Sequence, residues 1–504
     1  MHRTRVTSRT ARHESDSFLV PVPGESLPVF QAVAVTLVAL TNLASGPLDA
    51  PPASVHPEAR GTPAAPSPAP STKLRAMTLD QALAYAREKQ PSLLAVRARL
   101  AGQIAGARVP RTRYLPRVAA TVQAFESSAN NSTAEYVNTP DIDIPRIGGT
   151  PANTTSWSAN PSTFAAAGLR QEVFDFGRTA ALQAVADATV DMEKGLRDLV
   201  RLDVDFAVEA GYYSVQTAKG VLGAAEAAYQ RSKLNYDTAH AGVDAGLRDP
   251  IQLTRAAADL GRFELARVNA RGGLDAARSV FAAVVGVTDL MLDASGQSPP
   301  AAPAPSLDEA ISSAFEHDPL LRAQRARIAQ QVATTRVIAS ELHPDLSFTA
   351  SISGRAGGAS PPGNAVPAGG GWLPDVPDWN GGLVFTWPLL DFGVKAREEA
   401  SRSFELARQS ELAEVKQRLA ATVQGGYVDL VSAQQALPAL EKTLTAARAN
   451  YAQAEARFKN DLGSSVELAD AQNLLTTAEV DLDIGQYQFL RARAYLGRVI
   501  AEGL

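Results

Sequence analysis

The chain has 504 residues, of which 45% are hydrophobic, and its formal net charge is -5. This composition allows a sizeable core, and the scattered Lys and Arg do not form the basic footprint of a nucleic-acid-binding protein, so no nucleic-acid partner is predicted. The lack of cysteine excludes disulfides, thiolate metal sites, cysteine nucleophiles and a cysteine-linked lipid. The six histidines include no pair at ligand spacing, so we predict no metal site and no cofactor.

The N-terminal region is similar to an export signal. Residues 1–46 contain a basic stretch, the apolar stretch VFQAVAVTLVAL and the small residues of NLASG. The apolar stretch is short and is interrupted by Gln31 and Thr36, which favours a signal peptide over a membrane-spanning helix. Residues 47–76 are rich in Pro and Ala and are predicted to be a linker, because they cannot build a core.

Two distant segments match each other without a gap. MTLDQALAYAREKQPSLLAVRARLAGQIAGAR begins at Met77, and PSLDEAISSAFEHDPLLRAQRARIAQQVATTR begins at Pro305. The sequence therefore predicts two copies of one unit, residues 77–291 and 307–504, joined by a second Pro/Ala-rich linker at 292–306.

Each copy is predicted to contain a pair of strands. They lie at about 115–127 and 163–174 in the first copy, and at about 345–353 and 381–390 in the second. The segment LSFTASIS alternates strictly between apolar and polar residues, which indicates a strand with two unlike faces. A half-buried sheet on an ordinary core and a transmembrane β-barrel both have this alternation, so the strands alone leave both open.

An Asp-Phe-Gly triplet follows the strand pair in both copies. The residues are Asp175, Phe176 and Gly177 in the first copy and Asp391, Phe392 and Gly393 in the second. In protein kinases such a triplet holds magnesium, together with a Gly-rich loop, a strand lysine and a catalytic loop. The sequence has none of these companions, so a triplet that returns in a duplicated setting is better interpreted as a structural joint.

A long helical hairpin is predicted after each joint, at about 177–287 and about 393–500. Apolar residues recur every seven positions in both hairpins, which predicts coiled-coil-like packing, and a helix of about sixty residues would be roughly 90 Å long. Pro438 aligns with Gly223 of the first copy, which predicts a kink at matching places.

The turns of the hairpins carry helix-start signals. Asp249 before Pro250 is typical of an N-cap followed by proline at the first helical position. Ser464 with Glu467 three residues later is typical of a capping box. Both turns are therefore interpreted as hairpin tips.

Four strands are too few to close a membrane barrel, for which about eight is the lower limit, so chains would have to pool their strands. The duplicated layout, the FDFG and LDFG joints, the heptad hairpins and the tips GLRDPIQLTRA and LGSSVELADAQ together resemble the TolC-like outer membrane factor family of Gram-negative bacteria. The resemblance implies a mainly α fold with a small β part. Its duplicated unit of helical hairpin plus two strands would trimerise into a twelve-stranded outer-membrane β-barrel on a periplasmic α-helical barrel.

The resemblance also implies a function without catalytic residues. A homotrimer in outer-membrane lipid would be the passive exit duct of a tripartite efflux or type I secretion system. It would dock to a periplasmic adaptor (membrane fusion) protein and to an inner-membrane transporter of the resolution-nodulation-division or ABC type. The candidate adaptor-docking residues at the tips are Gly246, Leu247, Asp249, Leu462, Gly463 and Ser464. At the joints, Asp would cap the tunnel helix, Phe would suit the membrane interface and Gly would permit a sharp change of direction.

Four charged residues near the tips are candidates for an entrance gate: Glu467, Asp470, Arg248 and Arg255. The two acids share one helix face, and their segment resembles one that carries acidic rings at the entrance in some family members. The helix dipole and capping alone also favour acids in a first turn, by about 0.3 to 1 kcal/mol, so both interpretations stay open. Arg248 or Arg255 is a possible partner of these acids across adjacent hairpins.

The alternative function is a secreted or surface coiled-coil scaffold without a pore. It would explain the heptads but not two alternating strand pairs at matching positions. An enzyme is disfavoured, because the sequence offers no clustered His or Cys and no Ser-His-Asp arrangement.

Overall fold

The structure is a computed structural model that describes residues 75–127, 160–287, 292–296, 305–357, 376–460 and 462–503. The chain divides after Pro70, and everything below concerns the unit Ser71–Leu504. The predicted signal segment and almost all of the first predicted linker lie outside the described residues.

The two copies have the same order of elements. The first contains β1 (Arg75–Met77), α1 (Leu79–Lys89), α2 (Pro91–Gly106), β2 (Arg117–Ser127), β3 (Asn160–Phe174), α3 (Arg178–Asp244) and α4 (Pro250–Val285). The second contains β4 (Leu292–Ala294), α5 (Leu307–His317), α6 (Pro319–Ser340), β5 (Asp345–Gly357), β6 (Val376–Thr386), α7 (Phe392–Lys459) and α8 (Ser465–Val499). A short 3-10 helix, Pro110–Tyr114, precedes β2.

Matching cap signals begin corresponding helices in the two copies. Full capping boxes start α1 at Thr78 and α5 at Ser306, because Gln81 and Glu309 return a side-chain acceptor to the cap backbone. The long helices α3 and α7 have 67 and 68 residues. The assigned helix of α7 continues through Pro438, so a kink at that place stays a prediction.

One antiparallel sheet joins the two copies, in the order β2-β3-β5-β6. The prediction of 381–390 for the last strand is corrected, because β6 spans Val376–Thr386. Pro388 has no amide hydrogen to continue the ladder, and the Trp387 indole donates instead to the Leu342 carbonyl at 3.2 Å. Strands β2 and β6 are the two edges of the sheet.

The predicted linkers contain a second, two-stranded sheet. β1 and β4 pair in parallel, although both fall within or next to segments predicted as linkers. Leu292 and Ala294 are fully buried, and Lys219 and Arg278 hold Asp293 at 2.9 and 3.1 Å. Three-residue strands are too short to show alternation, so the prediction of unbroken linkers is wrong at these residues.

Helix α3 is central to the packing. It packs against α2 and α6 along its first part and against α4 and α8 along its second part, while α7 packs against α6 and α8. The largest core cluster surrounds Tyr212, Val208 and Phe281, where the short helices meet the hairpins. Among the described helices, none combines the length and apolar character needed to cross a membrane.

Candidate functional site

The two faces of the four-stranded sheet have opposite polarity, and the apolar face is the exposed one. The apolar face carries Val118, Val122, Phe348, Ile352, Trp379, Leu383 and Phe385. Val122 is 81% exposed and Ile352 is 62% exposed, whereas Ser347 on the other face is only 3% exposed. A sheet in water buries its apolar face, so the half-buried sheet on an ordinary core is not what this chain forms.

The first joint is a capped turn with left-handed backbone. Asp175 is buried, and its carboxylate accepts hydrogen bonds from the Tyr114 hydroxyl at 2.9 Å and from the Thr179 amide at 2.6 Å. Phe176 and Gly177 have φ of 48° and 96°, so the chain changes direction there. The aspartate is occupied as a cap for backbone amides, not as a metal ligand.

The second joint also caps a long helix with an aspartate, but its backbone geometry is different. Asp391 is the N-cap of α7 and accepts the amides of Gly393 at 2.8 Å and Val394 at 3.2 Å. Phe392 and Gly393 lie inside the helix. The role predicted for Gly393, a sharp change of direction, is therefore wrong in this copy, because an extended N-cap residue already sets the direction of the chain.

This difference predicts unequal glycine substitutions. Gly177→Ala should lower the free energy of unfolding by about 1–2 kcal/mol, because a Cβ is disfavoured at left-handed φ even where space is open. Gly393→Ala, the matched control, should cost less, because its backbone is helical and the added Cβ would meet only the Asp391 carboxylate oxygen, at 3.1 Å. Thermal unfolding of the two variants beside the wild type measures the effect. Equal midpoints for the two variants would contradict it.

The first tip is a tight turn between α3 and α4. Gly246 has φ of 69°, and the Gly242 carbonyl accepts the amides of Leu247 at 2.8 Å and Arg248 at 3.1 Å. The Asp249 carboxylate accepts the Ile251 amide at 2.9 Å and so caps α4. Leu247 is highly exposed at the apex.

The second tip carries only half of the predicted capping box. The Ser464 hydroxyl accepts the Glu467 amide at 3.1 Å, but the Glu467 carboxylate turns to Arg457 at 3.2 Å. Arg457 also donates to the Leu462 carbonyl, at 3.2 Å, and Leu462 is exposed at the apex. Gly463 sits between these groups, and Asp461 lies outside the described residues.

The candidate gate residues are not brought together within one chain. The Glu467 carboxylate pairs with Arg457 of its own tip at 3.2 Å. The Arg248 guanidinium lies over the Phe458 ring at 4.3 Å, while Arg255 and Asp470 are exposed. The suggested pairing of Arg248 or Arg255 with these acids across adjacent hairpins stays a prediction, because adjacent hairpins include those of neighbouring copies.

Polar contacts between the two hairpins form a group that the sequence analysis missed. We call it the seam, and it consists of Arg231, Asn235, Gln472, Thr476 and Glu479. Gln472 is 2% exposed, accepts from the Asn235 amide at 3.2 Å and donates to the Ala228 carbonyl at 2.9 Å. Arg231 donates to Glu479 at 3.2 Å and to Thr476 at 3.3 Å. The available signal was the polar Gln472 between the buried Leu468 and Leu475, which lie four residues before it and three residues after it.

A cleft lies beside the seam, between the hairpins and close to the tips. It has a volume of about 220 Å³. Its walls include Ser232, Gln252, Arg255, Phe458 and Leu468. The seam thus closes one side of a cavity that both tips border, so a change at either tip is next to the contacts that join the hairpins.

A half-buried acid, Glu209, lies further from the tips, on α3. Burial raises the pKa of Glu209 to about 6, and the neighbouring Asp205 adds to the shift while Arg493 opposes it. Arg87 engages Asp205 at 2.9 and 3.0 Å, and Arg493 engages Glu502 at 2.8 Å, so the nearby cations are held by other acids. The negative charge of ionised Glu209 is therefore only partly balanced by these cations.

This predicts a pH-dependent stability. The folded state binds a proton on Glu209 between its ordinary pKa of 4.5 and about 6, so its ionisation costs about 2 kcal/mol as pH rises through this window. Glu209→Gln should therefore stabilise the protein at pH 7.5 and leave it unchanged near pH 4.5. Thermal unfolding across this range, with the exposed Glu226→Gln as the control, measures it. A variant that follows the wild type at every pH would contradict the prediction.

A duplicated unit of helical hairpins, with a sheet that exposes its apolar face, defines a membrane protein of the duct-forming class. The family model described as outer membrane efflux protein matches residues 82–287 and 310–502. The chain therefore belongs to the outer membrane efflux protein family. It is an efflux protein of the Gram-negative outer membrane and not an enzyme, which confirms the resemblance found in the sequence.

Solved structures show the same fold at low identity. The outer membrane channel CmeC of Campylobacter jejuni has a TM-score of 0.69 at 15% identity, over 90% of this chain and 94% of that chain. The outer-membrane channel OprN has 0.67 at 18%, over 84% and 90%. The open state of MtrE from Neisseria gonorrhoeae has 0.64 at 17%, over 84% and 89%. No curated protein sequence gives a significant match.

Proposed function

We propose that three copies of this chain close a twelve-stranded barrel on a helical tunnel, and that this tunnel is a passive exit duct. The observation that carries the proposal is the sheet, whose apolar face is exposed and whose edges β2 and β6 pair with no further strand among the described residues. In lipid each unpaired backbone group costs several kcal/mol, so the edges must pair with other chains. The number three comes from the family to which the chain belongs.

The helices support the same assembly. Exposed apolar side chains lie along the outer helices of the chain: Leu265, Val268 and Val280 on α4, and Phe404 and Leu406 on α7. Neighbouring copies would cover these residues when the helices close into a tunnel. A soluble scaffold built as a single coiled hairpin does not explain why both outer helices expose apolar residues. It also does not explain why the sheet exposes its apolar face.

The tips are the proposed docking sites for a periplasmic adaptor. Leu247 and Leu462 project from the two turns and are strongly exposed. The adaptor would link the duct to an inner-membrane transporter of the resolution-nodulation-division or ABC type. We further propose that the duct does not alter its cargo chemically, because passage through a tunnel requires only an open lumen.

Fractionation and planar-bilayer recording test the duct. The protein should sediment with outer membranes, require detergent for extraction and give discrete conductance steps in a planar bilayer. The scaffold alternative predicts release as a folded, water-soluble protein and a silent bilayer. Either of those results would remove the duct from consideration.

The tips also give a prediction for the entrance gate. Because Arg457 offsets the charge of Glu467, the exposed Asp470 should dominate any acidic ring. Asp470→Asn should reduce cation preference and block by divalent cations several-fold, and Glu467→Gln should have a smaller effect. Single-channel recording measures both, with Asp308→Asn on the distant α5 as the control. If all three variants behave as the wild type, these acids serve only as helix-start residues.

A further inference from the structure

A second cleft lies between α1, α3 and α8, beside the largest core cluster. It has a volume of about 320 Å³. Leu83 of α1, Phe206 of α3 and Leu490 of α8 form its apolar wall, and Glu209 of α3 places a carboxylate in the same space. We call it the Glu209 cleft. It combines an apolar surface with one acidic group, which is the character of a site for a small amphipathic molecule.

The cations of the Glu209 cleft are already held by other acids. The described lining residues comprise four acids, among them the exposed Asp80, and three arginines, so the cleft has a net negative charge when Glu209 is ionised. Each of these arginines bonds to an acid other than Glu209: Arg87 to Asp205, Arg493 to Glu502 and Arg498 to Asp203. The excess negative charge is therefore located at Glu209 and at the rim.

The Glu209 carboxylate itself has no hydrogen-bond partner within the part of the chain that the structure describes. Asp205, Glu209 and Tyr213 follow one another at four-residue spacing and so share one face of α3. Burial raises the pKa of Tyr213 to about 12, so its hydroxyl is neutral and cannot balance the acid. A half-buried carboxylate without a partner is unfavourable, and a cation bound beside it would remove that cost.

The surroundings of Glu209 fit an organic cation better than a bare metal ion. The described residues contain no group of three His, Asp or Glu arranged to hold a metal ion. An ammonium group needs only one carboxylate, and the aromatic rings of Phe206 and Tyr213 line the same cleft, where aromatic faces attract cations. The apolar wall would cover the uncharged part of such a molecule.

We propose that the Glu209 cleft binds a small organic cation, an ammonium group on an apolar body, with the charge at Glu209 and the body against the apolar wall. The inference goes beyond the proposed duct and does not depend on it, because binding requires only the folded chain. A molecule held there touches α1, α3 and α8 together, so it should also stabilise their packing.

Isothermal titration calorimetry of the purified protein in lipid nanodiscs tests the site, with phenethylamine and its neutral analogue phenethyl alcohol as probes. At pH 7.5 the wild type should bind the amine at least about tenfold more tightly than the alcohol, the value of one contact to a charged group. Glu209→Gln should lose that preference, and the exposed Glu226→Gln should keep it. Ala494→Leu, which fills the cleft without a change of charge, should weaken both probes.

The pH dependence gives a test on the unmodified protein. Protonation of Glu209 below its pKa of about 6 removes the negative charge, so amine binding should be several-fold weaker at pH 4.5 than at pH 7.5. Binding of the alcohol should be the same at both values. Empty nanodiscs give the correction for partition of each probe into lipid.

The outcomes separate this inference from the proposed function. Equal binding of amine and alcohol by the wild type, or equal amine binding by the wild type and Glu209→Gln, overturns the site. Absence of any amine binding, as expected if a neighbouring copy fills the cleft, also overturns it and leaves the duct standing. If Glu209→Gln fails to fold, the two probes and the two pH values still decide the matter on the wild type. A silent bilayer overturns the duct and leaves the measured site in place.

Discussion

Replacing Ile352 by arginine is expected to destabilise the protein in lipid by about 2–4 kcal/mol per chain, the cost of a cation on the lipid face of a barrel. In water the same change at a side chain that is 62% exposed would be nearly neutral, within about 0.5 kcal/mol. The prediction therefore distinguishes a lipid-facing sheet from an exposed sheet in solution.

Ser353→Arg is the matched control for this change. Ser353 is the next residue on the same strand, and its register partners Ala166 and Asp378 place it on the polar face. It should have little effect, since the lumen admits water. Heat stability of the purified complex in lipid nanodiscs measures both variants. If Ile352→Arg and Ser353→Arg unfold together with the wild type, the apolar face does not contact lipid.

The second large effect is expected at the seam. Arg231→Ala should lower the free energy of unfolding by about 1–3 kcal/mol, because it leaves the half-buried Glu479 without its cation. Both side chains of this pair are only 20% exposed, so solvent screens the interaction weakly. The loss also removes a link between the hairpins, so channel current should rise as the tip end loosens.

Arg418→Ala is the control for the seam. Its partner Glu414 lies one turn away on the same exposed helix face, so the loss should cost less than about 0.5 kcal/mol and leave the current unchanged. Arg231→Ala, Glu479→Ala should recover part of the stability lost by Arg231→Ala, because the unpaired acid is gone. Three variants with equal stability and equal current would show that the seam does not hold the hairpins.

The local periodicity of the chain was enough to predict its main architecture. The repeat, the strand pairs and the long hairpins each leave a pattern within a short stretch of sequence. The predicted positions of β2, β3 and β5 lie within a few residues of the observed strands. The C-terminal end of β6 was predicted too late, because the apolar residues continue through Leu389 and Leu390 whereas Pro388 cannot continue the hydrogen-bonded ladder. Apolar character and hydrogen-bonding capacity give different boundaries there.

Contacts between distant segments could not be predicted in the same way. β1 pairs with β4 across more than two hundred residues, and three residues carry no periodic signal. The seam joins α3 to α8, and which polar residues meet depends on the rotation of both helices. At the second tip, turn geometry decides whether the Glu467 carboxylate returns to the cap backbone or pairs with Arg457, and the capping pattern does not specify that geometry.

Cross-linking between the two sheet edges tests the central claim most directly, and the cysteine-free chain gives a clean background. Val118→Cys on β2 should be combined in turn with Gly381→Cys, Leu383→Cys and Phe385→Cys on β6. Within one chain these edges are separated by two intervening strands, roughly 14 Å at 4.8 Å per strand, so a disulfide can form only between chains. Closure of a twelve-stranded barrel predicts that at least one pair yields covalent species up to, and not beyond, three chains on a denaturing gel. Monomers alone for every pair, or a ladder that continues past three, would contradict it.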